Sequence, residues 1–151
     1  MNIAFFITPK HESVCLDKDA TMRQALEKME YHRYTAVPLV DKKGRYAGTL
    51  TEGDLLWKMK NTPNLTFEET RKISLTEVPK RMSNKAISID ADIQEIIEII
   101  MHQNFVPVVD DHKIFVGIIT RKAVMSYLCN LAYDNKKQPE SGKLRAIFGV
   151  N

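Results

Sequence analysis

An internal duplication constrains this chain more than any other feature: the pattern over residues 14–56 returns over residues 87–125. In each copy a polar residue is followed three positions later by Gln or Glu, Thr21 with Gln24 and Asp92 with Glu95. Apolar residues then fall at helical spacing, Met22, Ala25, Leu26 and Met29 in the first copy and Ile93, Ile96, Ile97 and Ile100 in the second. The polar pair caps amide hydrogens that a first helical turn leaves without partners, and the i, i+3, i+4, i+7 spacing makes one apolar face. A short apolar strand ending in aspartate follows each helix, Ala36-Val37-Pro38-Leu39-Val40-Asp41 and Phe105-Val106-Pro107-Val108-Val109-Asp110. Turn residues and second strands over 46–51 and 115–120 complete a hairpin in both copies. Gly48 and Gly117 hold equivalent places in those strands, where a missing side chain marks a bulge or a close backbone approach. Closing helices are predicted over 52–60 and 121–131. Each unit is a small sheet with helices on one side, and a unit of under about sixty residues exposes strands that only a second sheet can cover.

The organisation that follows is a first repeat over 1–60, a connector over 61–77, a second repeat over 78–131 and a polar tail over 132–151 with an apolar docking end at 144–150. Within the connector, Thr66 and Glu69 are spaced to cap a short helix. The opening segment, MNIAFFITPKHES, reads as the first strand. It has neither the basic start of a secretion signal nor the apolar length of a membrane span, so no membrane partner is expected. Lys and Arg number 22 against 19 Asp and Glu, a net charge of +3, far from the dense basic stripe that recognises nucleic acid. Cys15 and Cys129 stand outside any paired spacing and read as small core residues, with a reducing cytoplasm as the expected location. His11, His32, His102 and His112 lack Cys or carboxylate partners at ligand spacing, so no metal is expected, and Trp57 reads as a packing or dimer contact. Nothing in the chain pairs a nucleophile with a base or forms a phosphate loop of the Walker type, and the expectation is a protein without catalysis.

The capped helix, the apolar-Pro-apolar-apolar-Asp strand and the Gly-x-h-Thr-x-x-Asp run of Gly48 to Asp54, in duplicated order, resemble the CBS-domain (cystathionine-β-synthase domain) superfamily over residues 3–131. The resemblance implies an α+β fold of two tandem CBS (βαββα) repeats about a pseudo-twofold, sheets packed face to face, and a homodimer of such pairs. It also implies a regulatory adenosine ligand, AMP, ADP or ATP, in a cleft between repeats, with no other cofactor and an effector protein as the reader of the signal. The segments Asn104-Phe105-Val106 and Phe115-x-Gly117-Ile118-Ile119-Thr120-Arg121-Lys122 are similar to stand-alone CBS-pair proteins of Firmicutes that bind cyclic di-AMP. The first copy departs from those proteins, which makes cyclic di-AMP the alternative ligand.

A nucleotide requires an apolar slot for the base, an acceptor for ribose hydroxyls and donors for phosphate. The strand-to-helix junction at Thr51 aims free amide hydrogens and a positive helix end toward a ligand. By the resemblance, Asp54 accepts from ribose and Thr51 contacts phosphate or ribose; the same two residues also suit a simple helix cap. The second copy has Ala123 in place of the aspartate, and Thr120, Arg121 and Lys122 are the candidates there for phosphate. The base slot is expected from Tyr34, Thr35, Ala36, Val37 and Pro38 with Ile7, Thr8 and Val14, and in the second copy from Ser83, Ile87, Phe105 and Val106. Two further functions compete with a nucleotide sensor: a ligand-free dimerisation and interaction scaffold, and an enzyme acting on a nucleotide.

Overall fold

The computed structural model describes residues 2–137, so the docking end expected at 144–150 lies outside the described residues. A 3-10 turn (Ile3–Phe6) leads into β1 (Ile7–Pro9). The first copy then supplies β2 (Leu16–Asp17), α1 (Met22–His32), β3 (Ala36–Val40), β4 (Tyr46–Thr51) and α2 (Glu52–Asn61). The second supplies β5 (Ile87–Ser88), α3 (Ile93–Ile100), β6 (Phe105–Val109), β7 (Phe115–Thr120) and α4 (Arg121–Lys137), the last running six residues beyond its predicted end at 131. Between the copies lie two 3-10 turns, Glu68–Lys72 and Leu75–Glu77.

Local chemistry explains why these segments start and stop where they do. Thr21 accepts from the Gln24 amide at 3.2 Å while the Gln24 side chain accepts from the Thr21 amide at 2.9 Å, the reciprocal cap that the spacing predicts. At α3 the Asp92 carboxylate accepts from the Glu95 amide at 2.9 Å. Helix α1 ends on Arg33 in the left-handed region (φ 57, ψ 40), a conformation that costs an L-residue about 1–2 kcal/mol. Both hairpin turns are tied by an aspartate: Asp41 accepts from the amides of Lys43 and Arg45, and Asp110 from those of His112 and Ile114, at 2.8–2.9 Å. The Arg45 amide, with the Arg45 guanidinium 2.9 Å away, holds the Asp41 carboxyl below its ordinary range.

The strands form two sheets, β2-β3-β4 and β1-β7-β6-β5. The opening strand therefore joins the second copy, antiparallel to β7 with Thr8 opposite Ile118 and Pro9 opposite Gly117. Ile3, fully buried, packs into the second core beside Ile87, Ile96, Val106 and Ile119. The connector makes the reverse exchange. Leu75 and Val78 fill the first core beside Met22, Val37, Leu39 and Leu50, and the Met22 amide donates to Ile73 while that of Leu75 donates to Ala20. Each core is closed by the segment that precedes the other repeat. Thr66 does accept from the Glu69 amide at 3.3 Å, although the turn that follows is a short 3-10 turn.

Gly117 is where the exchange becomes sterically demanding, because a Cβ there would lie 2.3 Å from the Thr8 carbonyl oxygen and 2.8 Å from an Ile7 methyl. Both hairpins carry a register shift beside their glycine, at Leu39/Val40 and at Val108/Val109. The two copies also meet reciprocally. The Tyr46 amide donates to Lys113 and the Phe115 amide to Gly44, at 3.3 and 2.9 Å, each residue meeting the counterpart of its own neighbour. Such mutual exchange between equivalent positions is the signature of a twofold relation. Cys15 is half-buried and Cys129 is exposed on α4, so Cys129 is corrected from a core residue to a surface one.

Candidate functional site

Along this twofold seam a cleft of about 330 Å³ opens between the copies. One wall comes from the turn and start of β3, with Tyr34, Thr35, Ala36 and Pro38. The facing wall comes from the second sheet, with Thr8, Phe105, Ile118 and Thr120. Thr35 and Asn104, 69 residues apart and at equivalent places in the two copies, touch across it through a hydrogen bond of 3.4 Å. The exchange of β1 into the second sheet is what carries Thr8 and the following Glu12, Ser13 and Val14 to this seam. The lining mixes apolar and aromatic surface with a few hydroxyl, amide and charged groups, the composition of a small-molecule site.

The structure thus gathers Thr8, Tyr34, Thr35, Ala36, Pro38, Phe105 and Thr120 of the expected residues, together with Val14, at one cavity. Tyr34 is partly exposed and stacks on His32, the rings 5.6 Å apart and 9° from parallel. Val37 and Val106, in contrast, are fully buried in the two hydrophobic cores, because alternate residues of a strand point to opposite faces. Ile87 is buried in the second core and Ser83 lies exposed on the connector side, outside the cleft lining.

Asp54 is 4 % exposed, and both of its carboxylate oxygens are engaged by its own chain. One oxygen accepts from the Thr51 amide at 2.9 Å, completing a reciprocal cap in which Thr51 accepts from the Asp54 amide at 3.2 Å. The other accepts from the Arg81 amide at 3.1 Å, which pins the segment ahead of β5 to the start of α2. The cavity that Asp54 borders, with Trp57, Lys58 and Pro79, is only about 130 Å³. Two cations, Arg81 and Lys60, lie 5.6 and 5.7 Å from the Trp57 ring. In the second copy Thr120 accepts from the Ala123 amide at 3.1 Å, the same cap without the carboxylate. Arg121 donates to the carbonyls of Ile100 and Gln103, at 3.0 and 2.9 Å, and so closes the C-terminal end of α3; it lies outside the cleft lining. Lys122 is exposed and lies outside the cleft lining.

Glu12, Ser13, Arg33 and Asn104 also line the cleft, and of these the sequence points only to Asn104, within a motif. The position of Glu12 and Ser13 depends on a strand exchange that no local spacing announces. Gln103, buried in the second half, steadies this region by bonding Lys85 through both amide atoms and the Phe105 carbonyl through its nitrogen. Among the described residues no helix is long and apolar enough to cross a membrane.

Comparison with known proteins agrees with this geometry. The chain is 28 % identical to a CBS domain protein from Streptococcus pneumoniae TIGR4 over 85 % of this chain and 86 % of that one, with a TM-score of 0.74. It shares its fold with CbpB in complex with c-di-AMP, at 22 % identity, 91 % of both chains and a TM-score of 0.78. The same holds for CBSX2 in complex with AMP, at 19 % identity, 87 % of this chain and 98 % of that one, with a TM-score of 0.70. No curated protein matches the sequence. The CBS domain family profile matches twice, over residues 6–61 and 74–130, and with two such domains in tandem the chain belongs to the CBS-domain family.

Proposed function

We propose that this protein is a non-catalytic regulatory module that binds an adenosine nucleotide, AMP, ADP or ATP, in the cleft between its repeats and signals to an effector protein. The observation that carries this reading is the 330 Å³ cleft itself, walled by both copies and lined by Tyr34, Thr35, Phe105 and Thr120. A ligand seated there contacts both halves at once, so binding that favours one mutual arrangement shifts the population toward it. The effector then reads the altered surface. CBSX2, a structural neighbour, is seen in complex with AMP, which supports the same ligand class here.

Cyclic di-AMP is the second reading, favoured by the neighbour CbpB in complex with c-di-AMP. The volume of the cleft lies at the small end for ligand pockets and favours a single mononucleotide per chain. The protein is proposed to act as a homodimer in the cytoplasm. Helices α1 and α2 present an apolar groove with Leu26, Met29, Leu56, Met59 and Phe67, of which Leu56 is 58 % exposed and suits burial against a second copy.

A thermal-shift panel of AMP, ADP, ATP, S-adenosylmethionine, NAD and cyclic di-AMP tests the reading. A mononucleotide at one hundred times its Kd is expected to stabilise the fold by about 2.7 kcal/mol, or roughly 5–11 °C in a chain of this size. A shift with cyclic di-AMP alone would favour the second reading, and no shift with any of them would leave a dimerisation scaffold.

A further inference from the structure

The cleft is bordered by one carboxylate, Glu12, and one guanidinium, Arg33. Among the described residues no ion pair joins them: Glu12 has His11 at 3.5 Å, and Arg33 takes part in none. Opposite charges that face one small cavity without neutralising each other offer a ligand both an acceptor and an anion site. Neither belongs to the Thr-x-x-Asp motif. That motif contributes no carboxylate here, since Ala123 stands in the aspartate's place beyond Thr120, and Asp54 is spent on the Thr51 and Arg81 amides. Arg33 also holds the left-handed position at the end of α1 (φ 57), where glycine or asparagine is the usual choice. Arg33 is exposed and borders both this cleft and the groove between α1 and α2.

We propose that Glu12 accepts hydrogen bonds from the ribose hydroxyls, standing in for the aspartate that the second repeat lacks, and that Arg33 pairs with the phosphate of a nucleoside monophosphate. This assignment rests on the nucleotide reading given above. A hydroxyl donates well to a carboxylate, and a guanidinium matches phosphate with two parallel N–H donors. Tyr34, next to Arg33, and Phe105 on the opposite wall supply the aromatic surface for the base.

Isothermal titration of the full chain with AMP, adenosine and 2′,3′-dideoxyadenosine monophosphate separates the two roles. Arg33→Asn, chosen because asparagine tolerates the left-handed conformation, is expected to weaken AMP about tenfold to a hundredfold and leave adenosine unchanged. Glu12→Gln is expected to weaken AMP and adenosine alike by about tenfold and leave the dideoxy nucleotide unchanged. The assignment is overturned if Arg33→Asn weakens AMP and adenosine equally, or if both variants bind AMP as the wild type does. A wild-type protein that binds none of the three overturns the nucleoside monophosphate as ligand and the assignment with it, while the six-ligand thermal-shift panel decides the nucleotide reading separately. Wild-type binding with indifferent variants overturns the assignment alone.

Discussion

Replacing Asp54 by alanine removes the carboxylate that caps α2 and holds the segment ahead of β5 to it. Loss of the cap leaves the Thr51 amide without its partner at 2.9 Å, a change worth about 1 kcal/mol. Loss of the bond to the Arg81 amide at 3.1 Å, a charged acceptor in a half-buried setting, is worth about 1.5–3 kcal/mol. Together these come to about 3 kcal/mol. For a chain of 151 residues, at about 2–4 °C per kcal/mol, the melting temperature should fall by about 6–12 °C. Asp54→Asn keeps one oxygen acceptor and should lose about half as much. Differential scanning calorimetry of the two variants and the wild type makes the measurement, with AMP added in a second series. Because Asp54 borders the smaller cavity and not the cleft, the stabilisation produced by AMP should survive the substitution. A melting temperature within about 2 °C of the wild type would refute the structural role. A normal melting temperature with AMP stabilisation abolished would return Asp54 to the ribose role that the family resemblance implied.

Gly117→Ala forces a Cβ to within 2.3 Å of the Thr8 carbonyl, so β1 must move off β7. The expected cost is about 1–3 kcal/mol by urea denaturation, with faster amide exchange at Lys10, whose N–H donates to Val116; unchanged exchange there would show that β1 yields without leaving the sheet. Leu56→Asp places a charge on the exposed apolar groove, and sedimentation should show a monomer of unaltered stability if α1 and α2 form the dimer face. A wild type that is itself a monomer would refute the proposed homodimer, and a variant that still sediments as a dimer would place the contact elsewhere.

The sequence by itself determined the elements and their duplication. Thr21 with Gln24, Thr51 with Asp54, and the Asp41 and Asp110 turns are contacts among near neighbours, so their spacing along the chain is also their spacing in the fold. The hairpins over 46–51 and 115–120 were legible for the same reason. Thr35, Ala36 and Phe105 reach the cleft because equivalent positions in a twofold arrangement converge, as Thr35 and Asn104 do. Tertiary structure alone decided where Ile3–Phe6 and β1 pack, since an opening strand can pair with either sheet and only the fit of Ile3 in the second core and of Thr8 over Gly117 chooses. From that choice follows the presence of Glu12 at the cleft, and long-range packing likewise decided the use of Asp54 and Arg121 to close backbone groups distant in sequence. These depend on which far-separated surfaces exclude water together, and periodicity along a chain does not encode that directly.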